Sequence, residues 1–231
     1  MILDPDNRYI QAINSHASLT GATILEIGCG SGRMTSDMAQ YAAKIVATDL
    51  NSVVLEQAKK NMTAENVEFL FTPDGIPNLP ARSFDIVIYT LSLHHIPKGK
   101  MIDNLRHSGN LLKDNGKIVV VEPGNGGSFL EVKKRFGAGS GDESQEKAAA
   151  ITAMQNLDRW IMSPTYLFDV HFQFTDETDF FINKLPKYLD LSAEKSFELK
   201  KFLKKHTTNR GIILTSGRHL NVLTRDLSHK K

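Results

Sequence analysis

Cysteine and long apolar runs are the features that this sequence lacks. Among 231 residues only Cys29 carries a thiol, so no internal disulfide can form. One thiol is also too few for a cysteine-rich zinc site, and we expect no metal. No stretch reaches the roughly 18 apolar residues that a membrane span requires, and the first residues lack the basic start and apolar run of a secretory signal. These absences predict a cytoplasmic protein without a transmembrane segment.

Neither sign of charge is in marked excess, since 28 Lys and Arg residues face 26 Asp and Glu residues, for a net charge of +2. The chain is nevertheless acidic up to residue 183 and basic from Lys184 onward. A cluster of four lysines could contact nucleic acid or an anionic surface. Because no recognised nucleic-acid motif accompanies it, we interpret it as a solvated helix face. The cluster consists of Lys200, Lys201, Lys204 and Lys205.

Apolar runs bounded by turn residues alternate with helical segments over the first half of the chain. This is the pattern of repeated βαβ units, and it predicts an α/β fold with a Rossmann-like, mainly parallel sheet in a single domain over 1–231. The predicted helices cover about 31–43, 51–62 and 98–112. The predicted strands are 23–27, 44–48, 67–71, 84–91 and 117–122.

The second half gives a less regular pattern. Two glycine-rich stretches between 124 and 141 indicate a hinge, and the chain to about residue 206 is predicted to be helical. We therefore expect residues 124–208 to form a helical insertion that covers the substrate. Near the end, 211–215 and 219–224 flank Ser216-Gly217-Arg218, which predicts an antiparallel hairpin at the sheet edge within 209–231.

A glycine-rich loop follows the first predicted core strand directly. The segment Glu26-Ile27-Gly28-Cys29-Gly30-Ser31-Gly32 opens a helix at the carboxyl edge of the sheet, where open α/β folds bind ligands. Its glycines allow a sharp turn and close approach of a ligand. A dinucleotide site would need a small third residue in G-x-G-x-x-G, but Arg33 occupies that position, which argues against it.

The G-x-G-x-G spacing with Glu26 ahead of it resembles motif I of the class I S-adenosylmethionine (SAM)-dependent methyltransferases. The segments Ser83–Ile96 and Leu112–Lys117 resemble the type 11 branch, which acts on small molecules. The resemblance covers about residues 20–123. It implies a seven-stranded methyltransferase-type sheet, a SAM-binding core at 20–123, and a transferase that releases S-adenosylhomocysteine.

The resemblance also implies a set of cofactor contacts. Glu26 and Gly28 would hold the amino-acid end of SAM, and Asp49 would accept hydrogen bonds from the ribose hydroxyls, a feature that dinucleotide enzymes share. Leu50 would lie against the adenine. The loop after the third core strand is one residue longer than the family pattern, which puts its adenine contacts in doubt. The full cofactor set is Glu26, Gly28, Gly30, Gly32, Asp49, Leu50, Asp74, Gly75 and Leu91.

Two residues near the carboxyl edge are candidates for acid–base chemistry. His95 follows the fourth core strand and could act as a base, because its normal pKa suits proton acceptance; alternatively it only shapes the loop. We interpret the adjacent His94 as structural. Glu122 ends the fifth core strand and could orient the acceptor, or it could cap a helix instead.

Further candidates for contacts with the substrate are the aromatic residues Tyr9, Trp160 and Tyr166. Tyr9 and His16 lie in an N-terminal segment that is either a lid over the cofactor or a packed amphipathic helix. Trp160 and Tyr166 either line the acceptor pocket or belong to an ordinary core.

The sequence therefore predicts transfer of a methyl group from SAM to a small organic acceptor at O, N or C. One alternative is a SAM-binding module without catalysis. Another is a methyltransferase that acts on RNA, protein or lipid. Neither the acceptor nor the oligomeric state is encoded in a pattern that we can interpret.

Overall fold

The structure of the protein, a computed structural model, describes residues 1–139 and 141–228. Ser140 of the predicted hinge and the last three residues of the predicted hairpin segment lie outside the described residues. The strands are β1 (Ile2–Leu3), β2 (Thr23–Ile27), β3 (Lys44–Asp49), β4 (Val67–Phe71), β5 (Phe84–Thr90), β6 (Leu112–Pro123), β7 (Trp160–Met162), β8 (Tyr166–Phe174), β9 (Thr207–Thr208) and β10 (Gly211–Arg225). The helices are α1 (Arg8–His16), α2 (Arg33–Ala39), α3 (Ser52–Asn61), α4 (Met101–Leu111), α5 (Ser128–Phe136), α6 (Ser144–Gln155), α7 (Glu177–Lys184) and α8 (Ala193–Lys205).

The chain divides into two compact units. The core unit comprises Ile10–Glu122, Glu143–Tyr166 and His219–Lys231. The second unit comprises Met1–Tyr9, Pro123–Asp142 and Leu167–Arg218. None of the described helices combines the length and the apolar character that crossing a membrane would require.

The core unit is organised around a parallel sheet in the order β6-β5-β2-β3-β4. The central strands are apolar along nearly their whole length because both faces are covered, and Leu25, Val87 and Val119 are fully buried. The chain winds outward from β2 to β4 and then returns to β5 on the other side of β2. This reversal opens a crevice outside the carboxyl ends of β2 and β5, and the predicted α/β fold is confirmed.

Helix α6 packs within the core unit, where Ala150 and Met154 join the apolar cluster that contains Leu105 of α4. The sequence interpretation assigned this stretch to a substrate-covering insertion. For residues 143–166 the buried face of α6 completes the core unit, and a role of this stretch in covering the substrate stays a prediction.

The second unit contains a strand in the region predicted to be helical. Strand β8 buries Phe168, Val170, Phe172 and Phe174, whereas the residues between them are more exposed. An alternation of two is the signature of a half-buried strand. The helical prediction is therefore wrong here, although α7 and α8 follow as expected.

The predicted hairpin around Ser216-Gly217-Arg218 is also wrong, because Gly211–Arg225 forms one strand of 15 residues. In the second unit, Gly217 continues a backbone ladder with Gly124 and Gly126, at N···O distances of 2.8 and 3.0 Å. The turn lies earlier, where β9 pairs with Gly211 and Ile212 across Asn209-Arg210.

Candidate active site

The glycine-rich loop follows β2 at the carboxyl edge of the core-unit sheet. Gly28, Gly30 and Gly32 all have left-handed backbone conformations, with φ values of 77, 55 and 81°. A Cβ atom at Gly28 would lie 2.6 Å from Cβ of Ser92, so a side chain there would collide with the segment after β5. At Gly30, by contrast, no heavy atom lies within 4 Å of that position. The loop is therefore closed on one side and open to a ligand on the other.

Asp49, the last residue of β3, holds this loop in place through its side-chain carboxylate. Its Oδ2 accepts a hydrogen bond from the backbone N of Gly30 and its Oδ1 accepts one from Asn51, both at 2.8 Å. Each carboxylate oxygen has capacity for a further hydrogen bond, which suits the two ribose hydroxyls. The adjacent Leu50 leaves 64% of its surface exposed and offers an apolar face beside that carboxylate.

Glu26 is a buried carboxylate without a cationic partner. The residue is 1% exposed, and the Thr35 hydroxyl donates a hydrogen bond of 2.5 Å to its Oε2. Among the described residues, no Lys, Arg or His nitrogen forms an ion pair with it. Burial raises the pKa of the Glu26 carboxyl to about 7, against the opposing effects of the Thr35 hydrogen bond and the Arg33 charge. A ligand ammonium group would supply the missing charge, so the site fits the amino-acid end of SAM.

The loop after β4 carries the predicted adenine contacts. The Gly75 carbonyl accepts a hydrogen bond from Nδ2 of Asn104 at 3.0 Å, and the Tyr89 hydroxyl donates to Oδ1 of Asn104 at 2.5 Å. Asp74 itself is exposed. The sequence analysis did not predict these hydrogen bonds of Asn104. A polar residue between buried apolar positions of helix α4 was the available signal for them.

Leu91 follows the end of β5 in a left-handed conformation, with φ 56°. Its backbone N donates to the Val121 carbonyl at 2.8 Å, so it lies at the same edge of the sheet as the glycine loop. This is a rare conformation for a non-glycine residue and marks a constrained turn.

His94 and Glu122 form a buried pair at this edge, each with a 3% exposed side chain. Nδ1 of His94 contacts Oε2 of Glu122, and the backbone N of His94 donates to Oε1 at 3.2 Å. The His95 ring lies 4.0 Å from the His94 ring and is exposed to solvent. Partial burial lowers the pKa of His95, and the charge of His94 lowers it further. A lowered pKa favours the neutral imidazole, which is the form that can accept a proton.

His94, together with two neighbouring side chains, could hold a metal ion. One potential ligand atom from each of His94, His95 and Glu143 lies within 4.8 Å of the other two. Two histidines and a carboxylate are a common set for a divalent cation. The expectation that the protein needs no metal therefore stays a prediction.

The two aromatic candidates for the acceptor pocket lie elsewhere. Trp160 packs against Gly109 and under the Arg225 guanidinium. Gly109 lies near the end of α4, shortly before β6 begins, so Trp160 lies at the amino edge of the sheet. Strand β5 separates this amino edge from the carboxyl edge by about 20 Å, at roughly 3.3 Å per residue. The Tyr166 ring contacts His16, whose carbonyl accepts from Lys117 early in β6. Trp160 thus packs at the amino edge and Tyr166 is 41% exposed beside His16, so a role of either residue in the acceptor pocket stays a prediction.

Tyr9 belongs to the second unit and is fully buried. Its hydroxyl accepts a hydrogen bond from Nε of Arg218, and its ring meets the Phe168 ring edge-on at 5.9 Å. The alternative of a packed amphipathic helix thus accounts for α1. A lid role for this segment stays a prediction.

Comparisons with known proteins agree with this geometry. Residues 24–116 match the family model described as a methyltransferase domain. A ubiquinone biosynthesis O-methyltransferase from Nitrosococcus oceani is 31% identical over 112 residues, which are 47% of this chain and 47% of that protein. A protein of the same name from Xanthomonas euvesicatoria is 29% identical over 112 residues, or 47% of this chain and 46% of that protein. The aligned part of the chain spans about half the length of these curated relatives.

Solved structures show the same fold. A structure described as a type II methyltransferase from Anaeromyxobacter dehalogenans aligns with a TM-score of 0.68 at 14% identity, over 99% of this chain and all of that one. A type 11 methyltransferase from Sulfolobus solfataricus aligns with a TM-score of 0.54 at 15% identity, over 100% of this chain and 97% of that one. At such identities the likeness concerns the fold alone.

Proposed function

We propose that this protein, whose core belongs to the class I SAM-dependent methyltransferases, transfers a methyl group from SAM to a small organic acceptor. The observation that carries the proposal is the buried carboxylate of Glu26, which has no ion-pair partner among the described residues and lies next to a glycine loop that Asp49 holds open. A cationic ligand with a ribose satisfies both features at once.

The residues of the core unit divide the work of holding SAM. Glu26 would accept from its ammonium group, the open side of Gly30 would admit its backbone contacts, and Asp49 would accept from its ribose hydroxyls. Leu50 would cover one face of the adenine. Bound SAM supplies an electrophilic sulfonium methyl group, so the protein has mainly to align the acceptor and exclude water.

His95 is the proposed proton acceptor for an acceptor hydroxyl. Its imidazole is exposed and its lowered pKa favours the neutral form, and the adjacent His94 ring is held on the buried side by the contact with Glu122. Since both Glu122 oxygens already accept from His94, we propose that Glu122 positions the histidine pair, which is a narrower role than orienting the acceptor directly.

The chemistry of the acceptor is the open part of the proposal. Oxygen is the first atom to test, because the similar curated proteins are named O-methyltransferases. A small hydroxyl-bearing acceptor is therefore our preferred substrate class.

Calorimetry with SAM and with NAD tests the cofactor. SAM should bind and NAD should not; NAD binding without SAM binding would refute the proposal.

Asp49→Ala should weaken SAM binding by about 1–3 kcal/mol. Asp85→Ala is the matched control, because Asp85 also accepts a backbone N–H, from Thr23 at 2.9 Å, but lies at the amino edge of the sheet. Equal losses in both variants would show that Asp49 acts only through the fold.

Labelled SAM incubated with separate pools of metabolites, RNA, protein and lipid tests the reaction. Label should enter the metabolite pool, and His95→Gln should slow transfer while leaving SAM affinity unchanged. Transfer into RNA, protein or lipid would replace the small-molecule acceptor. Normal SAM binding with no transfer into any pool would favour a binding module instead.

A further inference from the structure

Arg218, in the second unit, is a buried cation with only neutral partners. The residue is 4% exposed. Its Nε donates to the Tyr9 hydroxyl, and its Nη1 donates to Ser216 Oγ and to the Gly217 carbonyl, both at 2.7 Å. Among the described residues, no carboxylate forms an ion pair with it. An arginine this deeply buried is ordinarily paired with an anion.

The guanidinium also retains hydrogen-bonding capacity. Arginine has five N–H donors, and the three bonds above use the Nε hydrogen and both hydrogens of Nη1. The two hydrogens of Nη2 have no protein partner among residues 1–139 and 141–228, and this nitrogen keeps some contact with solvent, since it is not one of the fully buried side-chain atoms without a partner. A charged amino group of this kind forms its strongest hydrogen bonds with an anionic oxygen.

A second cation shares the same aromatic surroundings. The Lys184 ammonium lies 5.1 Å from the centroid of the Phe172 ring, and the Arg218 guanidinium carbon lies 5.9 Å from it. Phe172 stacks on Phe129 at 4.4 Å. Burial lowers the pKa of Lys184, and the charge of Arg218 lowers it further. No carboxylate in the described part of the chain forms an ion pair with this lysine either.

We propose that Arg218 and Lys184 form a binding site for the carboxylate of a small organic acid, with the Phe172–Phe129 pair against its apolar body. Two oxygens match two separate cations, and the aromatic rings favour an organic acid over inorganic phosphate. The site lies within one unit and does not depend on the proposed methyl transfer, so it goes beyond that function.

Benzoate, benzamide and inorganic phosphate, at constant ionic strength, are the probes for this site. Calorimetry on the full chain should detect benzoate binding and none of the neutral amide. Arg218→Met should weaken benzoate binding by about 10- to 100-fold, the range for a hydrogen bond to a charged group. This variant should fold, because replacing a buried charge by an apolar side chain of similar size is often tolerated.

Lys187→Met is the matched control, since Lys187 is an exposed lysine three residues from Lys184. Lys184→Met should weaken benzoate binding and Lys187→Met should not. The proposal is overturned if benzoate and benzamide bind alike, if neither binds, if phosphate binds and benzoate does not, or if Arg218→Met and Lys184→Met leave benzoate affinity unchanged.

Discussion

Each unit of the chain contains a buried side chain whose charge has no ion-pair partner among the described residues, and two of these charges, on Glu26 and Arg218, have opposite signs. The core unit holds the Glu26 carboxylate with a neutral hydroxyl as its hydrogen-bond donor. The second unit holds the Arg218 guanidinium with neutral acceptors. Because an unpaired buried charge is unfavourable, each position indicates a ligand of opposite charge: a cation in the core unit and an anion in the second unit.

The two sites also differ in how they respond to pH. A carboxyl group can avoid burying its charge by taking up a proton, as the raised pKa of Glu26 shows. An arginine side chain does not lose its proton in a protein, so it cannot avoid burying its charge in this way. The core-unit site is therefore sensitive to pH near neutrality, whereas the arginine keeps its charge.

The backbone of the glycine loop after Glu26 determines the shape of the core-unit site. Gly28→Ala should lower the free energy of unfolding by about 3 kcal/mol, because it adds both a left-handed backbone strain and a collision with Ser92. Gly30→Ala has the same backbone conformation but open space, and should cost only about 1 kcal/mol. Urea unfolding without SAM measures both, and equal losses would contradict the packing of the loop against Ser92.

The stability that Glu26 contributes should depend on pH. The native pKa of Glu26 is about 7 and its model value is 4.5, so the folded state binds more protons between these values. Stability from this group is present below pH 4.5 and is lost as pH rises through 7. Glu26→Gln removes the titration. Relative to the wild type, the variant should gain about 3 kcal/mol over that pH range.

Urea unfolding at a series of pH values, again without SAM, checks this prediction. A stability difference between Glu26→Gln and the wild type that is independent of pH would show that the carboxyl titrates normally. Burial would then not disfavour the charge of Glu26, and the contrast between the two units would not hold.

Sequence reasoning was most successful where one short segment determines its own structure. Gly28, Gly30 and Asp49 lie in a strand–loop–helix segment and at the next strand end, so their common edge follows from parallel pairing alone. The position of Trp160 could not be found this way, because it depends on Gly109 and Arg225, which are distant in the chain. Glycine at 217 suggested a turn, but it serves the close approach of Gly124 within a continuous strand.

The alternation in β8 shows a different limit. The spacing of Phe168, Val170, Phe172 and Phe174 was present in the sequence, yet the helical segments around it led to a helical interpretation. The pairing of His94 with Glu122 was beyond such patterns, since 28 residues separate them. Local periodicity therefore predicts elements, and long-range contacts decide which side chains share a site.

The histidine pair offers a second way for the core unit to gain a positive charge, without any change at Glu26. A divalent cation at His94, His95 and Glu143 would give the core unit a positive charge of its own. We expect none, so EDTA should change neither the melting temperature nor methyl transfer. His95→Ala provides the control, because it removes one of the three ligands. A loss on chelation that zinc restores in the wild type, but not in His95→Ala, would make the histidine pair a metal site, and His95 would then be unavailable as the proton acceptor.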